Sequence, residues 1–380
     1  MRLGAQKLLV LLNMALKCGI VGLPNVGKST LFNCVSSGKA QALNFPFCTI
    51  EPNLGSTQVP DDRLEQLAAL VKPKRVVPAT VDFVDIAGLV KGASQGEGLG
   101  NQFLANIRET DAVLHVLRCF DNDDVAHVSG HVDPVRDMEI VETELQIKDL
   151  ETIENRLSKV QKQAIAGGDK EAARLVDLLL QYKDALNQGK NARTVPLANW
   201  EERRMGRDLF LLTNKPVLYV CNVDEDSAVD GNEHTQRVAE RLEQENAPYL
   251  IVAADAEAQI AQMEDADMQQ EFLDMLGIEE TGTNRLIHAA YRLLGLETFF
   301  TTKNEEVRAW TFQEGTKAPQ AAGLIHTDFE QGYIRAEVIK FEDFLHYKSE
   351  AACREAGKIS AEGKNYVVRD GDIMHFLFSR

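Results

Sequence analysis

The chain has 380 residues, 44% of them hydrophobic and 26% charged, which is enough for two or three domains with cores of their own. A net charge of −17 argues against a protein that coats nucleic acid by bulk charge, and no stretch is long and apolar enough to span a membrane. The six cysteines (Cys18, Cys34, Cys48, Cys119, Cys221 and Cys353) lack CxxC spacing, which points to reduced thiols and a cytoplasmic protein.

Residues 1–15 read as an N-terminal extension. The apolar run at 8–12 behind Arg2 and Lys7 is too short for a signal peptide and lacks a small-residue cleavage site, and Met14 is a candidate start. Short apolar runs at 16–21, 80–84 and 112–117 then read as strands, and the pattern resumes at 216–221 and 249–253. Strands alternating with helical stretches predict a parallel sheet with crossover helices.

Between 138 and 188 there is no strand signal. Ile147, Leu150, Leu157, Val160 and Ala164 recur at helical spacing, as do Ala172, Leu175, Leu179, Tyr182 and Leu186, with a break at Gly167-Gly168-Asp169. That pattern predicts an antiparallel, coiled-coil-like hairpin inserted in the α/β domain. Beyond Thr298, strands are expected at 307–311, 333–339, 366–368 and 373–378, with a helix from Ala318 and a turn at Gly371, giving a small α+β module. Two short basic clusters, Lys72/Lys74/Arg75 and Arg203/Arg204/Arg207, read as solvated faces.

Gly22-Leu23-Pro24-Asn25-Val26-Gly27-Lys28-Ser29 matches G-x-x-x-x-G-K-[ST] between a strand and the helical stretch that begins at Thr30. The glycines let backbone N–H groups turn toward phosphate oxygens, and the helix N-terminus adds positive potential. Lys28 is expected to neutralise the β- and γ-phosphates, and Ser29 to place its hydroxyl on Mg²⁺. Asp85-Ile86-Ala87-Gly88 closes the second strand as D-x-x-G, where Asp85 can hold the metal through water and Gly88 can sense the γ-phosphate. In the intervening stretch Phe45-Pro46-Phe47-Cys48-Thr49-Ile50-Glu51-Pro52, Thr49 is the candidate metal ligand, with Thr57 as the runner-up. The glycine-rich run 89–100 follows Gly88 and is expected to order on the γ-phosphate. Many GTPases carry a water-orienting Gln where this chain has Leu89, so intrinsic turnover should be slow. The base-reading position carries Asn222-Val223-Asp224-Glu225 instead of N-K-x-D, which puts guanine selection in doubt and favours ATP.

These motifs together, with 85–108 running D-I-A-G-L-V-K-G-A-S-Q-G-E-G-L-G-N-Q-F-L-A-N-I-R, resemble the Obg-related translation-factor GTPases, and the altered 222–225 and the helical insertion narrow the likeness to the Obg-like ATPase, or YchF, subfamily. The resemblance implies an α/β fold: a discontinuous P-loop G domain at 16–135 and 206–297, an inserted helical coiled-coil domain at 136–205, and a C-terminal β-grasp TGS domain at 298–380. It implies a nucleotide-dependent switch hydrolysing ATP in preference to GTP, with Mg²⁺ and with K⁺ as a second cation near Asn25, in association with ribosomes or another ribonucleoprotein, in translation or stress regulation. A monomer in the cytoplasm without a membrane partner is expected.

The expected nucleotide contacts are Asn25, Val26, Gly27, Lys28, Ser29, Thr30, Asn222, Val223 and Glu225, and the metal contacts are Ser29, Thr49 and, through water, Asp85. Lys28, Gly88 and His127 are the expected catalytic residues, with His127 matching a family histidine proposed to stand in for the missing Gln. Two other classes of function stay open on the residues alone. One is a binding protein that uses nucleotide only as a switch ligand, and the other is a metabolic kinase.

Overall fold

The computed structural model describes residues 16–37, 54–86, 99–122, 124–125, 127, 130–167, 169–263, 265–303 and 305–379. The first half supplies β1 (Lys17–Val21), α1 (Lys28–Ser37), β2 (Leu54–Gln58), α2 (Asp62–Val71), β3 (Arg75–Val77), β4 (Thr80–Asp85), α3 (Leu99–Arg108) and β5 (Ala112–Arg118). Then come α4 (Pro134–Gly167), α5 (Lys170–Asn187), α6 (Trp200–Asp208), β6 (Val217–Asn222), α7 (Glu233–Glu243), β7 (Tyr249–Val252), α8 (Ala254–Gln262), α9 (Ala266–Leu276) and α10 (Gly282–Leu293).

The first sheet has the order β2-β4-β1-β5-β6-β7. Its strands run parallel except β2, which pairs antiparallel with β4. Every residue of β5 and β6 is buried, the polar His115, Arg118 and Asn222 included, as central parallel strands are when helices cover both faces. β1 lies between β4 and β5, with Ile20 opposite Asp85 and Val21 opposite His115. The order of strands reverses at β1, so the loops leaving β1 and β4 open into one crevice at the carboxyl ends of the strands. The sequence pattern missed β2, whose residues Leu-Gly-Ser-Thr-Gln do not alternate, and the three-residue β3.

The helix α4 changes partner along its 34 residues. Met138, Val141 and Leu145 pack into the main core, whereas Ile153 and Leu157 join Leu178, Leu179, Tyr182 and Leu186 of α5 in a separate core with Met205 and Leu211. Ile147 lies between the two zones and is exposed, contrary to its expected place in the apolar stripe. Asp169, at the expected break, caps α5 by accepting hydrogen bonds from the backbone N–H groups of Glu171 (2.9 Å) and Ala172 (3.3 Å). The sequence boundary at 205/206 falls inside α6.

At the root of the hairpin the fully buried Asp149 accepts from the Leu212 N–H (2.7 Å), the Thr213 N–H (2.8 Å) and the Thr213 hydroxyl (2.7 Å). Three donors satisfy a carboxylate that burial would otherwise make costly, and they fix where the chain re-enters the sheet.

The second sheet adds β8 (Leu296–Thr301), β9 (Glu306–Gln313), the helix α11 (Ala318–Ile325), β10 (Tyr333–Ile339), β11 (Ser360–Glu362) and β12 (Ile373–Phe378). Its order is β11-β10-β12-β8-β9-β3, so the edge strand β3 comes from the N-terminal half and pairs parallel with β9. The boundary placed at 297/298 lies inside β8. The strand expected at 366–368 is reduced to a single bridge between Lys317 and Val367, and the third antiparallel segment is β11 instead. Gly371 adopts φ +82°, a turn that favours glycine.

The five described cysteines are free and buried, and burial pushes the Cys18 thiol up to about 12 and the Cys34 thiol to about 11. Among the described residues no helix is long and apolar enough to cross a membrane.

His115, in the middle of β5, is 3% exposed, and its Nε2 has no hydrogen-bond partner among the described residues. Burial, aided by the nearby Arg193 charge, pushes its pKa down to about 3. Below the ordinary histidine value the unfolded chain binds a proton that the folded chain refuses, so stability is lost as pH falls from about 6.5 toward 3. Between pH 7 and pH 5 the wild type should lose about 2 kcal/mol more than His115→Phe in urea titrations. Parallel losses in the two proteins would show that His115 is protonated in the fold.

Candidate nucleotide site

The segment 22–29 joins β1 to α1 and hangs on the core through buried Leu23, Val26 and Leu31. Gly22 runs so close to β5 that an added Cβ would lie 2.7 Å from the Val116 carbonyl oxygen. Gly27 has φ +88°, and an added Cβ there would lie 2.1 Å from the Asn222 amide nitrogen. Asn25 is exposed with φ +63°, a left-handed conformation that Asn tolerates better than most residues. The Gly27 carbonyl accepts from the Leu31 N–H (2.9 Å), which starts α1 directly behind the loop. The resulting concavity of main-chain amides at a helix N-terminus is suited to an anion.

Lys28 and Asp85 form an ion pair across the mouth of this concavity, with side chains 11% and 16% exposed. Ser29 donates its hydroxyl to the other Asp85 oxygen at 3.4 Å. The register that sets Ile20 opposite Asp85, reinforced by the Ile86 N–H to Ile20 carbonyl bond (3.1 Å), brings the ends of β1 and β4 together. The site thus holds one ammonium, one hydroxyl and one carboxylate beside a row of N–H groups.

Asn222 closes the cradle from below. Its side-chain N–H donates to the Val26 carbonyl (2.9 Å), and its side-chain oxygen accepts from the Ala254 N–H (3.0 Å). Both ends of the amide are therefore engaged in positioning the loop. Val223 is buried in the main core, and its N–H donates to the Val252 carbonyl (3.0 Å). Asp224 caps the short turn 225–227 by accepting from the Ser227 N–H (3.0 Å). Glu225 is exposed and accepts from the Gln259 side chain (2.5 Å). Ala254, part of the Ala-Ala pair at 253–254, meets Asn222 through a backbone N–H that every residue but proline supplies.

His127 lies on the loop after β5, with Nε2 2.8 Å from a carboxylate oxygen of Asp137 and a side chain 5% exposed. Arg136 holds the other Asp137 oxygen at 3.1 Å. The loop itself is organised by Arg118, which is 1% exposed and donates to the carbonyls of Phe120 (3.2 Å), Val125 (2.9 Å) and Asn122 (3.0 Å) while lying over the Phe120 ring. Sequence reasoning missed Arg118 and Asp137. A charge closing an otherwise mostly apolar strand was the one available signal for Arg118.

The structure brings Asn25, Val26, Gly27, Lys28, Ser29 and Thr30 together with Asp85 and Asn222. Thr49 and Gly88 lie outside the described residues. The runner-up Thr57 belongs to β2, opposite Val81, and is 2% exposed, so it is a strand residue and not a metal ligand.

Comparisons with known proteins agree with this layout. Residues 17–163 match the family of 50S ribosome-binding GTPases, and residues 296–379 match a C-terminal YchF GTPase family described as a protein of unknown function. The ribosome-binding ATPase YchF of Escherichia coli O157:H7 is 53% identical over 366 residues, covering 96% of this chain and 100% of the relative. Its counterpart in Bacillus subtilis strain 168 is 51% identical over 368 residues, with the same coverage. The solved YchF GTPase of Schizosaccharomyces pombe superposes with a TM-score of 0.86 at 36% identity, covering 96% of this chain and 98% of that one. With full-length identity above one half and the P-loop cradle in place, the chain belongs to the YchF family of Obg-related P-loop GTPases.

Proposed function

We propose that the protein is a nucleotide-dependent switch that hydrolyses ATP, in preference to GTP, to ADP and phosphate, and that it associates with ribosomes. The observation that carries this reading is the amide cradle of 22–29 with Lys28 and Asp85 paired at its mouth. An incoming triphosphate competes with Asp85 for the Lys28 ammonium, and the row of N–H groups takes up charge as it spreads over the γ-phosphoryl oxygens. Gly88 and Thr49 complete the γ-phosphate contacts in this reading. The oxygens of Ser29 and Asp85, 3.4 Å apart, are hard donors that suit magnesium. When bound, that ion neutralises phosphate charge. K⁺ beside Asn25 would add to the same neutralisation.

ATP is favoured because the residue in the guanine-reading place is Glu225, whose carboxylate is shared with Gln259, while Asn222 is consumed in holding the loop. The ribosome association rests on full-length relatives named for it. In this reading 16–135 and 206–297 form the G domain, 136–205 a coiled-coil insert and 298–380 a TGS module of β-grasp type. The antiparallel α4–α5 pair with its own core and the separate mixed sheet support that division. A monomer in the cytoplasm completes the reading.

His127 is proposed to orient the attacking water. It is buried against Asp137, so it must leave that carboxylate to reach a phosphate, and basal turnover is correspondingly slow.

Calorimetric titration with Mg²⁺ should show ATP binding at least tenfold tighter than GTP, and equal or tighter GTP binding would overturn the base assignment. Lys28→Ala removes a charged hydrogen-bond donor worth about 1.5–3 kcal/mol, so ATP affinity should fall about 10- to 150-fold. Retained affinity would take the cradle out of the mechanism. His127→Ala should lower phosphate release about 100-fold with ATP affinity within about twofold. Normal turnover in that variant removes His127 from the chemistry.

A further inference from the structure

The chain carries a basic stripe that its nucleotide site does not use. On α6, Trp200, Arg203, Arg204 and Arg207 recur at spacings of three and four, which puts them on one helix face. The opposite face buries Met205 and Gly206 against the helical core, so the stripe faces solvent by construction. Trp200 is 66% exposed, which is unusual for the largest aromatic in a chain whose other indole, Trp310, lies half-buried beneath Arg308. Phe210, three residues beyond Arg207, is 64% exposed and held at φ +51°. A bulky side chain in the left-handed region costs energy, and here no burial offsets it.

The charges around the stripe are mostly spoken for. Arg204 pairs with Glu171 and lies over the Trp200 ring at 5.6 Å. Arg174 of α5 pairs with Glu201. Glu202 turns back to the start of α6, accepting from the Ala198 N–H (2.7 Å) and the Asn199 amide (2.9 Å). Asp208 sits at the edge of the stripe. Arg203 and Arg207 are exposed and form no ion pair among the described residues. They stand four residues apart, about 6 Å along the helix axis, and thus present two guanidinium forks in line.

We propose that this face of α6 is a contact surface for single-stranded RNA, with Arg203 and Arg207 on successive phosphates and Trp200 stacked against a base. The proposal gives the ribonucleoprotein partner of the preceding section a chemical point of contact, and in that respect it rests on that reading. Two features favour RNA over an acidic protein surface. On a chain of net charge −17, two arginines with no ion pair among the described residues, beside an indole that Arg204 covers on one side and that is still 66% exposed, form a local exception that suits a polyanion. An exposed aromatic flanked by guanidinium groups offers both base stacking and phosphate forks, whereas an acidic helix would use only the charges.

The test uses the full chain and a labelled 12-residue oligouridine, read by anisotropy across a salt series. Arg203→Glu with Arg207→Glu should weaken binding at least tenfold and lower the salt slope by about 1.4, from about 0.7 per phosphate contact on a single strand. Trp200→Ala should weaken it about 5- to 100-fold, and Trp200→Phe should keep most of the affinity. Basal ATP turnover should be unchanged in all three variants, because none of these residues belongs to the nucleotide site. Equal binding by the wild type and the double variant overturns the proposal. So does polyglutamate that displaces the oligouridine as well as unlabelled RNA of equal charge. Ribosome co-sedimentation is scored separately: oligouridine binding through this face without co-sedimentation sinks the ribosome reading alone, and co-sedimentation without oligouridine binding sinks this surface alone.

Discussion

The amide of Asn222 is the constraint on which the rest of the site depends. It joins three segments far apart in sequence: the P-loop at Val26, the end of β6, and the Ala254 N–H after β7. Gly27 approaches it so closely that a Cβ would overlap the amide nitrogen, so the glycine and the asparagine require each other. A loop of amides binds polyphosphate well only if the amides already point inward, because ordering them at binding would cost conformational entropy. The tether meets that cost during folding. Within 222–225 the first residue thus holds the loop, whereas the fourth, Glu225, is exposed and engaged by Gln259.

The same strand carries a second polar contact in the opposite direction. Tyr219, three residues before Asn222, shares Glu142 of α4 with Arg193, and Asn191 donates to the same carboxylate oxygen at 2.9 Å. Burial pushes the Tyr219 hydroxyl far above its usual range, so it stays a proton donor to Glu142 at any working pH. The root of the helical hairpin and the floor of the nucleotide site are thus built on one short, fully buried strand. A shift of β6 by a fraction of an ångström would be felt at both ends, because close-packed interiors pass on displacement instead of absorbing it.

The legible part of this protein was the part written in local chemistry. The strand, loop and helix around Gly22–Ser29, the central strands, the helical hairpin with its break before α5, and β10 and β12 all follow from spacing and turn residues. What escaped depends on partners distant in sequence. β2 and β3 are strands because β4 and β9 lie beside them, and neither has a pattern of its own. The segment at 366–368 has a strand-like composition but finds one bridging partner. Ile147 fits a heptad yet sits where α4 changes neighbours. Arg118 and Asp137 are the clearest case. No spacing rule says that a buried guanidinium will fold back onto three carbonyls, or that a carboxylate ten residues on will take the histidine.

The pairing of Lys28 with Asp85 bears on how such a site discriminates among ligands. Both groups are largely shielded from water, so separating them without a replacement would leave two poorly solvated charges. A ligand must therefore supply a new partner to each at once. Phosphate oxygens can take the ammonium, but the carboxylate is satisfied only by a cation arriving with them. A metal-chelated triphosphate meets both demands, whereas free phosphate or an uncomplexed nucleotide meets one. The ion pair therefore favours a ligand that brings its own cation over a bare anion, and removing the Asp85 carboxylate alone should narrow that preference more than it weakens phosphate binding.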